Sequence, residues 1–183
     1  RITATAVQVT SLGYALPGTI IAIGVIMTFG WLDRNLVPLF ESAFSVDLGL
    51  LFSGTLVALI FAYTVRFLAI SLGSIQSGLK SIKPSLDSSA RLLGRKPIQD
   101  LKEVDGPLLR ASVLTAFLIV FVDVLKELPG TLILRPFNFN TLAVRAYELA
   151  SDERLIDAAP ASLMIVLVGL LPVFLLNRAI AKH

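Results

Sequence analysis

The stretch Ser85-Leu86-Asp87-Ser88-Ser89-Ala90-Arg91-Leu92-Leu93-Gly94-Arg95-Lys96-Pro97, running on to Val104-Asp105-Gly106-Pro107, decides how this chain is read. It is a basic, polar interruption between two long apolar segments. Pro84-Ser85 supplies a helix start, with Ser85 as cap and Asp87 in the first turn, where unpaired amides favour an acid. Leu86, Ala90 and Leu93 recur at i, i+4 and i+7, with Leu92 adjacent, so one apolar stripe faces away from the polar residues. Gly94 stands where a C-terminal glycine permits a left-handed turn, with Arg95 and Lys96 beside the last carbonyls. Pro97 suits the first position of a second short helix that carries Ile98, Leu101 and Val104 on one face. Gly106-Pro107 is expected to end that helix. The spacing predicts a helix–turn–helix with two readings: an interfacial helix on anionic lipid, or a docking element for a partner.

The flanks set the class. Of 183 residues, 55% are hydrophobic and 16% charged, and mean hydropathy is +0.81. A soluble domain carries nearer a quarter charged residues. Four apolar stretches, Leu12–Trp31, Leu48–Ile70, Leu108–Leu125 and Pro160–Asn177, approach the roughly 20 residues that a bilayer crossing needs. The expectation is an all-α membrane protein with four transmembrane helices. No cysteine is present, which excludes a disulfide framework and a thiolate metal site. The sequence pI near 9.5 does not indicate nucleic acid, because the basic residues lie beside apolar spans. The chain opens at Arg1 without Met or a signal-peptide pattern. It is therefore expected to be a piece of a longer protein, with a polar approach segment before Leu12.

Charge then orients the spans. Arg66 to Arg110 holds eight Lys or Arg against four acids. Linker 32–47 sets Arg34 against Asp33, Glu41 and Asp47. Linker 127–159 sets Arg135, Arg145 and Arg154 against Glu127, Glu148, Asp152, Glu153 and Asp157. Lys/Arg excess marks the cytoplasmic side. Residues 74–107 are thus expected inside as a cytoplasmic loop, and 32–47 and 127–159 outside. Arg178 and Lys182 fall inside, and Trp31 at an outer boundary.

The loop spacing resembles the EAA loop of ABC-importer permeases: Glu-Ala-Ala, three residues, Gly, nine residues, Ile, one residue, Leu-Pro. Ser88-Ser89-Ala90 takes the Glu-Ala-Ala place, Gly94 the glycine, Val104 the isoleucine, Gly106 the leucine and Pro107 the proline. Serine replaces the acid and glycine the leucine, while the spacing is intact. The resemblance implies a coupling helix seated in an ATPase subunit, with Ser88, Ser89, Ala90, Leu93, Gly94, Val104 and Pro107 as coupling residues. Tyr14-Ala15-Leu16-Pro17-Gly18, Lys126-Glu127-Leu128-Pro129, Leu134-Arg135-Pro136-Phe137 and Ala150-Ser151-Asp152-Glu153-Arg154 look like the ferric-iron branch of these permeases. The implied fold is a type I permease core forming one transmembrane domain over 1–183. The implied setting is the bacterial inner membrane, multi-pass. The implied partners are cytoplasmic ABC ATPase subunits, a periplasmic ferric-binding receptor and a second permease half, in a lipid bilayer. Relatives for thiamine, polyamine or an oxyanion are the alternative. An ion-coupled secondary transporter or channel is the alternative class.

Several residues carry weaker signals. Gly73-Ser74-Ile75-Gln76-Ser77-Gly78-Leu79-Lys80-Ser81 nearly spells a phosphate loop. Leu79 intervenes where Lys must follow the second glycine, and a span rather than a strand precedes. It is expected to be a flexible span-to-loop joint, so the chain itself is not expected to be an enzyme, and no catalytic residue or cofactor is assigned. Asp123 and Glu127 are four apart on one face, with Lys126 between. They form either an ion pair near the outer interface or part of a translocation path. Arg66 reads as a snorkelling residue near an inner interface. No His, Asp and Glu cluster has ligand spacing, so no metal site is assigned. In the outer linker, Asn138-Phe139-Asn140-Thr141 predicts a turn and cap before Leu142–Leu149. Ser151 is expected to cap a second short helix with Asp152 and Glu153 in its first turn. Arg135, Asp152 and Glu153 are the candidate receptor contacts.

Overall fold

The computed structural model describes residues 10, 13–44, 49–82, 85–86, 94 and 97–180. Among them every regular element is helical. In chain order these are α1 (Gly18–Phe44), α2 (Leu56–Ser81), α3 (Pro97–Asp100), a π turn (Leu101–Asp105), α4 (Gly106–Leu125), α5 (Pro129–Leu134), α6 (Leu142–Ser151) and α7 (Leu155–Ile180). Four stretches are long and apolar enough to cross a membrane: Gly18–Ser42, Leu56–Ser81, Leu101–Leu125 and Leu155–Phe174. The expected all-α, four-span membrane architecture is borne out.

The most extensive packing joins α2 to α4, then α6 to α7 and α1 to α5. The best-buried cluster takes Ile21, Ala22, Val25 and Phe29 from α1, Ala58, Leu59 and Ala62 from α2, and Leu134 from α5. The alanines explain the closeness: lipid provides no hydrophobic drive between helices, so small residues that let backbones approach make the contact. Phe29 lies 5.1 Å from Phe61 and 5.5 Å from Phe52, ring centre to ring centre. The outward faces of the helices are apolar, with Met27, Trp31, Leu171 and Phe174 all more than half exposed. In a membrane protein that surface meets acyl chains.

The span limits differ from the sequence reading. Helix α1 starts after Pro17 and runs to Phe44, so much of the supposed linker 32–47 is helix and Trp31 lies within it. The acids there suggested a loop, but Asp33 is buried and fully partnered, as described below. Helix α2 starts at Leu56, where the Thr55 hydroxyl accepts from the Val57 amide at 3.2 Å. It continues to Ser81, so the near-phosphate loop is helix rather than a joint. The second loop helix does not stop at Gly106-Pro107. Asp105 keeps right-handed helical angles (φ −66°, ψ −44°), and the chain passes through the π turn into α4. Ser151 ends α6 rather than starting a helix. Asp152 and Glu153 form the turn before α7, with Glu153 at φ 61°.

Candidate functional site

Three regions hold the residues singled out from sequence: the loop before α4, a set of charges between α1, α2 and α5, and the turns on either side of α6.

In the loop, Gly94 has φ +76°. The left-handed turn predicted from its place after the amphipathic stripe is there, and an L side chain is strained in it. Val104 lies in the π turn, half-buried, and Pro107 is exposed in the first turn of α4. Ser88, Ser89, Ala90 and Leu93 lie outside the described residues.

The charged set is deep. Arg66 sits ten residues into α2, roughly 15 Å along the axis, well inside a helix long and apolar enough to cross a membrane. It is not a snorkelling residue at a span end. Its Nε lies 3.3 Å from Glu127 Oε2, and Glu127 is 7% exposed. The Nε–H is not aligned for a hydrogen bond, so the contact is an ion pair. Glu127 Oε1 accepts from the Gly130 amide at 3.1 Å, which caps the start of α5. Thr131 donates to the Glu127 carbonyl at 2.8 Å and shares a hydrogen bond with the Tyr63 hydroxyl. Helix α5 is thereby tied to α2 by one ion pair and one hydroxyl chain. Room for the pair comes from α1: a Cβ on Gly18 would stand 2.5 Å from Arg66 Nη1 and 2.6 Å from Glu127 Oε1.

Asp123 and Glu127, paired in the sequence reading, part company. Asp123 turns to Lys126 at 2.8 Å, while Glu127 turns to Arg66. The Asp123 carboxylate, by hydrogen bond and charge, holds the Lys126 ammonium above its ordinary pKa.

Sequence reasoning missed Asp33. Its carboxylate accepts from the amides of Leu51 (3.1 Å), Phe52 (3.0 Å) and Ser53 (2.7 Å) and from the Ser53 hydroxyl. An acid before a Ser- and Gly-containing loop is a possible signal for such capping, but it does not say which loop.

At the far turn, Arg135 pairs with Glu148 at 2.7 Å and hydrogen-bonds Asn140, and Asn140 donates to Glu148 at 3.0 Å. Asn138 takes φ 62°, and Thr141 caps α6 by accepting from the Val144 amide at 3.3 Å, as the sequence predicted. Of the three candidate receptor contacts, Arg135 is engaged and half-buried, whereas Asp152 and Glu153 are exposed. Among the described residues no group of three or more His, Cys, Asp or Glu could hold a metal ion.

No family model matches the chain. It is 28% identical to the Fe(3+)-transport system permease protein FbpB 2 of Haemophilus influenzae over 165 residues, 90% of this chain and 29% of that protein. It is 32% identical to the ferric transport system permease protein FbpB of Actinobacillus pleuropneumoniae over 111 residues, 61% of this chain and 15% of that one. This chain is homologous to transport-system permeases. A third relative, PhnV of Salmonella typhimurium, is named for 2-aminoethylphosphonate transport. It is 28% identical over 171 residues, 92% of this chain and 57% of that protein. The chain therefore spans under a third of the first relative and little more than half of the third. These relatives bear out the importer-permease resemblance read from the loop. With its four membrane-capable helices, the chain is a multi-pass inner-membrane protein.

Proposed function

We propose that this chain is the membrane-spanning permease part of a binding-protein-dependent ABC importer, with ferric iron as cargo. ATP is hydrolysed by separate cytoplasmic subunits that seat residues 85–107, and the cargo arrives from a periplasmic ferric-binding receptor. A second permease half completes the channel. Residues 1–183 then form one transmembrane domain, with 74–107 as its cytoplasmic coupling loop and 127–159 facing the periplasm. The observation that carries this reading is the intact EAA spacing with Gly94 at positive φ, in a chain whose relatives include permeases named for ferric transport.

Mechanistically, closure of the motor subunits moves the coupling loop, and the spans change which side of the membrane they open to. Ser88, Ser89, Ala90, Leu93, Gly94, Val104 and Pro107 belong to the docking surface. Asp123 and Glu127 are path candidates with different access. Asp123 is held by Lys126 at its own helix end, while Glu127 reaches a cation only when Arg66 releases it. Asp152 and Glu153 offer exposed acids to the receptor, and Arg135 shapes that surface through Glu148.

The PhnV match favours a second cargo, an organophosphonate, because the chain covers more of that relative. Reconstitution with the motor and receptor subunits separates the two: uptake of labelled ferric iron undiminished by excess 2-aminoethylphosphonate supports iron. Uptake of the phosphonate without iron overturns it. Gly94→Leu is expected to abolish coupled uptake while leaving membrane insertion intact, and unchanged receptor-stimulated ATPase would remove the docking assignment.

A further inference from the structure

The helical run from Pro97 to Leu125 has one irregularity, the π turn over Leu101–Asp105. Its cause lies in the next two residues. Pro107 has no amide to give the Glu103 carbonyl, and in α register its ring would press on that carbonyl. Widening the preceding turn to i→i+5 bonding relieves the clash without breaking the helix. The wider turn brings Gly106 over Leu101, where a Cβ would stand 2.9 Å from the Leu101 carbonyl oxygen. That contact is with backbone, which cannot swing aside as a side chain could. Glycine at 106 is thus the residue the π turn requires. It is also one of the places where the chain departs from the importer pattern, which has leucine there.

We propose that Leu101–Asp105 is a register switch between the coupling loop and the third span, with Gly106 as its positioning residue. A π turn holds one residue more than the α turn it replaces. Taking that residue up turns the flanking segments against each other by roughly 100° and shifts them by about 1.5 Å. A push from the loop is then absorbed as rotation of α4 instead of bending. The inference rests on the reading that residues 85–107 meet a motor subunit.

The test uses the complete transporter with its motor subunits. This chain has no cysteine, so spin labels at Ile98→Cys and Leu114→Cys, both exposed, straddle the π turn and report its register. The unaltered chain is expected to change its label distance between the nucleotide-free and nucleotide-trapped states. Gly106→Ala crowds the π turn, and Pro107→Ala returns the missing amide and adds no bulk. Both are expected to hold one label distance in both states, with uptake reduced about tenfold, a coupling loss of ordinary allosteric size. If Gly106→Ala fails to assemble, Pro107→Ala carries the test. A nucleotide-dependent distance change that persists in Pro107→Ala overturns the switch, as does an unaltered chain that binds the motor and transports with no distance change. Both results leave the docking reading standing. Failure of the unaltered chain to co-purify with an ATPase subunit overturns the docking reading and the switch with it.

Discussion

Asp33 and Glu127 are both buried carboxylates of one bundle, and they are stabilised in opposite ways. Among the described residues Asp33 meets only neutral donors, three amides and a hydroxyl from one short loop. Glu127 meets a full positive charge from another helix, plus a single amide. The first arrangement fixes a loop and leaves nothing charged behind if it is lost. The second joins α2 to α5, and losing either partner strands the other in a low-dielectric interior. The difference separates a structural acid from one whose state matters to the arrangement of helices.

The largest expected effect breaks the charged arrangement on one side. Arg66→Gln should destabilise the protein by about 3–5 kcal/mol, because Glu127 is left buried without its countercharge. Thermal unfolding in detergent checks this. The double change Arg66→Met with Glu127→Gln should recover most of the loss. If the double variant is as unstable as the single one, the pair is not the source of the effect.

Breaking the neutral arrangement should cost less and act locally. Asp33→Asn keeps one acceptor oxygen but turns an NH2 toward the donors of residues 51–53. The expected loss is about 1–3 kcal/mol, seen as faster hydrogen exchange confined to residues 49–55. Faster exchange throughout α2 would show that Asp33 does more than hold its loop.

Smaller still is Tyr63→Phe, which removes the hydroxyl from Thr131 and leaves the ion pair. Hydrogen bonds between membrane helices average about 0.6 kcal/mol, so a Tm shift near the limit of measurement is expected. A large shift would mean that the hydroxyl chain and the ion pair act as one unit.

The smallest effect belongs to Lys126→Gln. The side chain is 65% exposed, and such pairs contribute about 0–1 kcal/mol. Because Asp123 raises the folded-state pKa of Lys126, that contribution is complete below the ordinary lysine value, about 10.4. It fades as pH rises through the raised value. A stability difference between Lys126→Gln and the unaltered chain that vanishes near neutral pH would contradict the pairing.

The count of spans was legible because apolar length alone decides it. So were the left-handed turn at Gly94 and the Asn138 turn with its Thr141 cap, since each is set by residues within a few positions. The span limits were not. Asp33 and Arg66 look like residues that belong in water, and their partners lie far along the chain or in a loop with no marker of its own. Glu127 was noticed in its Lys-Glu-Leu-Pro string, yet nothing local says that it turns away from Asp123 and toward α2. The π turn was missed because Gly106-Pro107 is a sound stop signal when read alone. The helix continues because widening the turn satisfies what proline denies.

The break at Leu16-Pro17 gives the Arg66–Glu127 pair a further meaning. Residues 13–15 are helical, the chain is irregular at 16 and 17, and α1 begins at Gly18. Each interrupted helix end exposes about half an elementary charge, positive where amides point out and negative where carbonyls do. Glu127 stands against the amide end of α1, beside Gly18, and the Arg66 guanidinium approaches the Leu16 carbonyl at the end of the preceding piece. One acid and one base thus stand at the two facing helix ends, each opposite in sign to the pole it meets, so the chain can break its helix just before α1 with both exposed ends held by a charge.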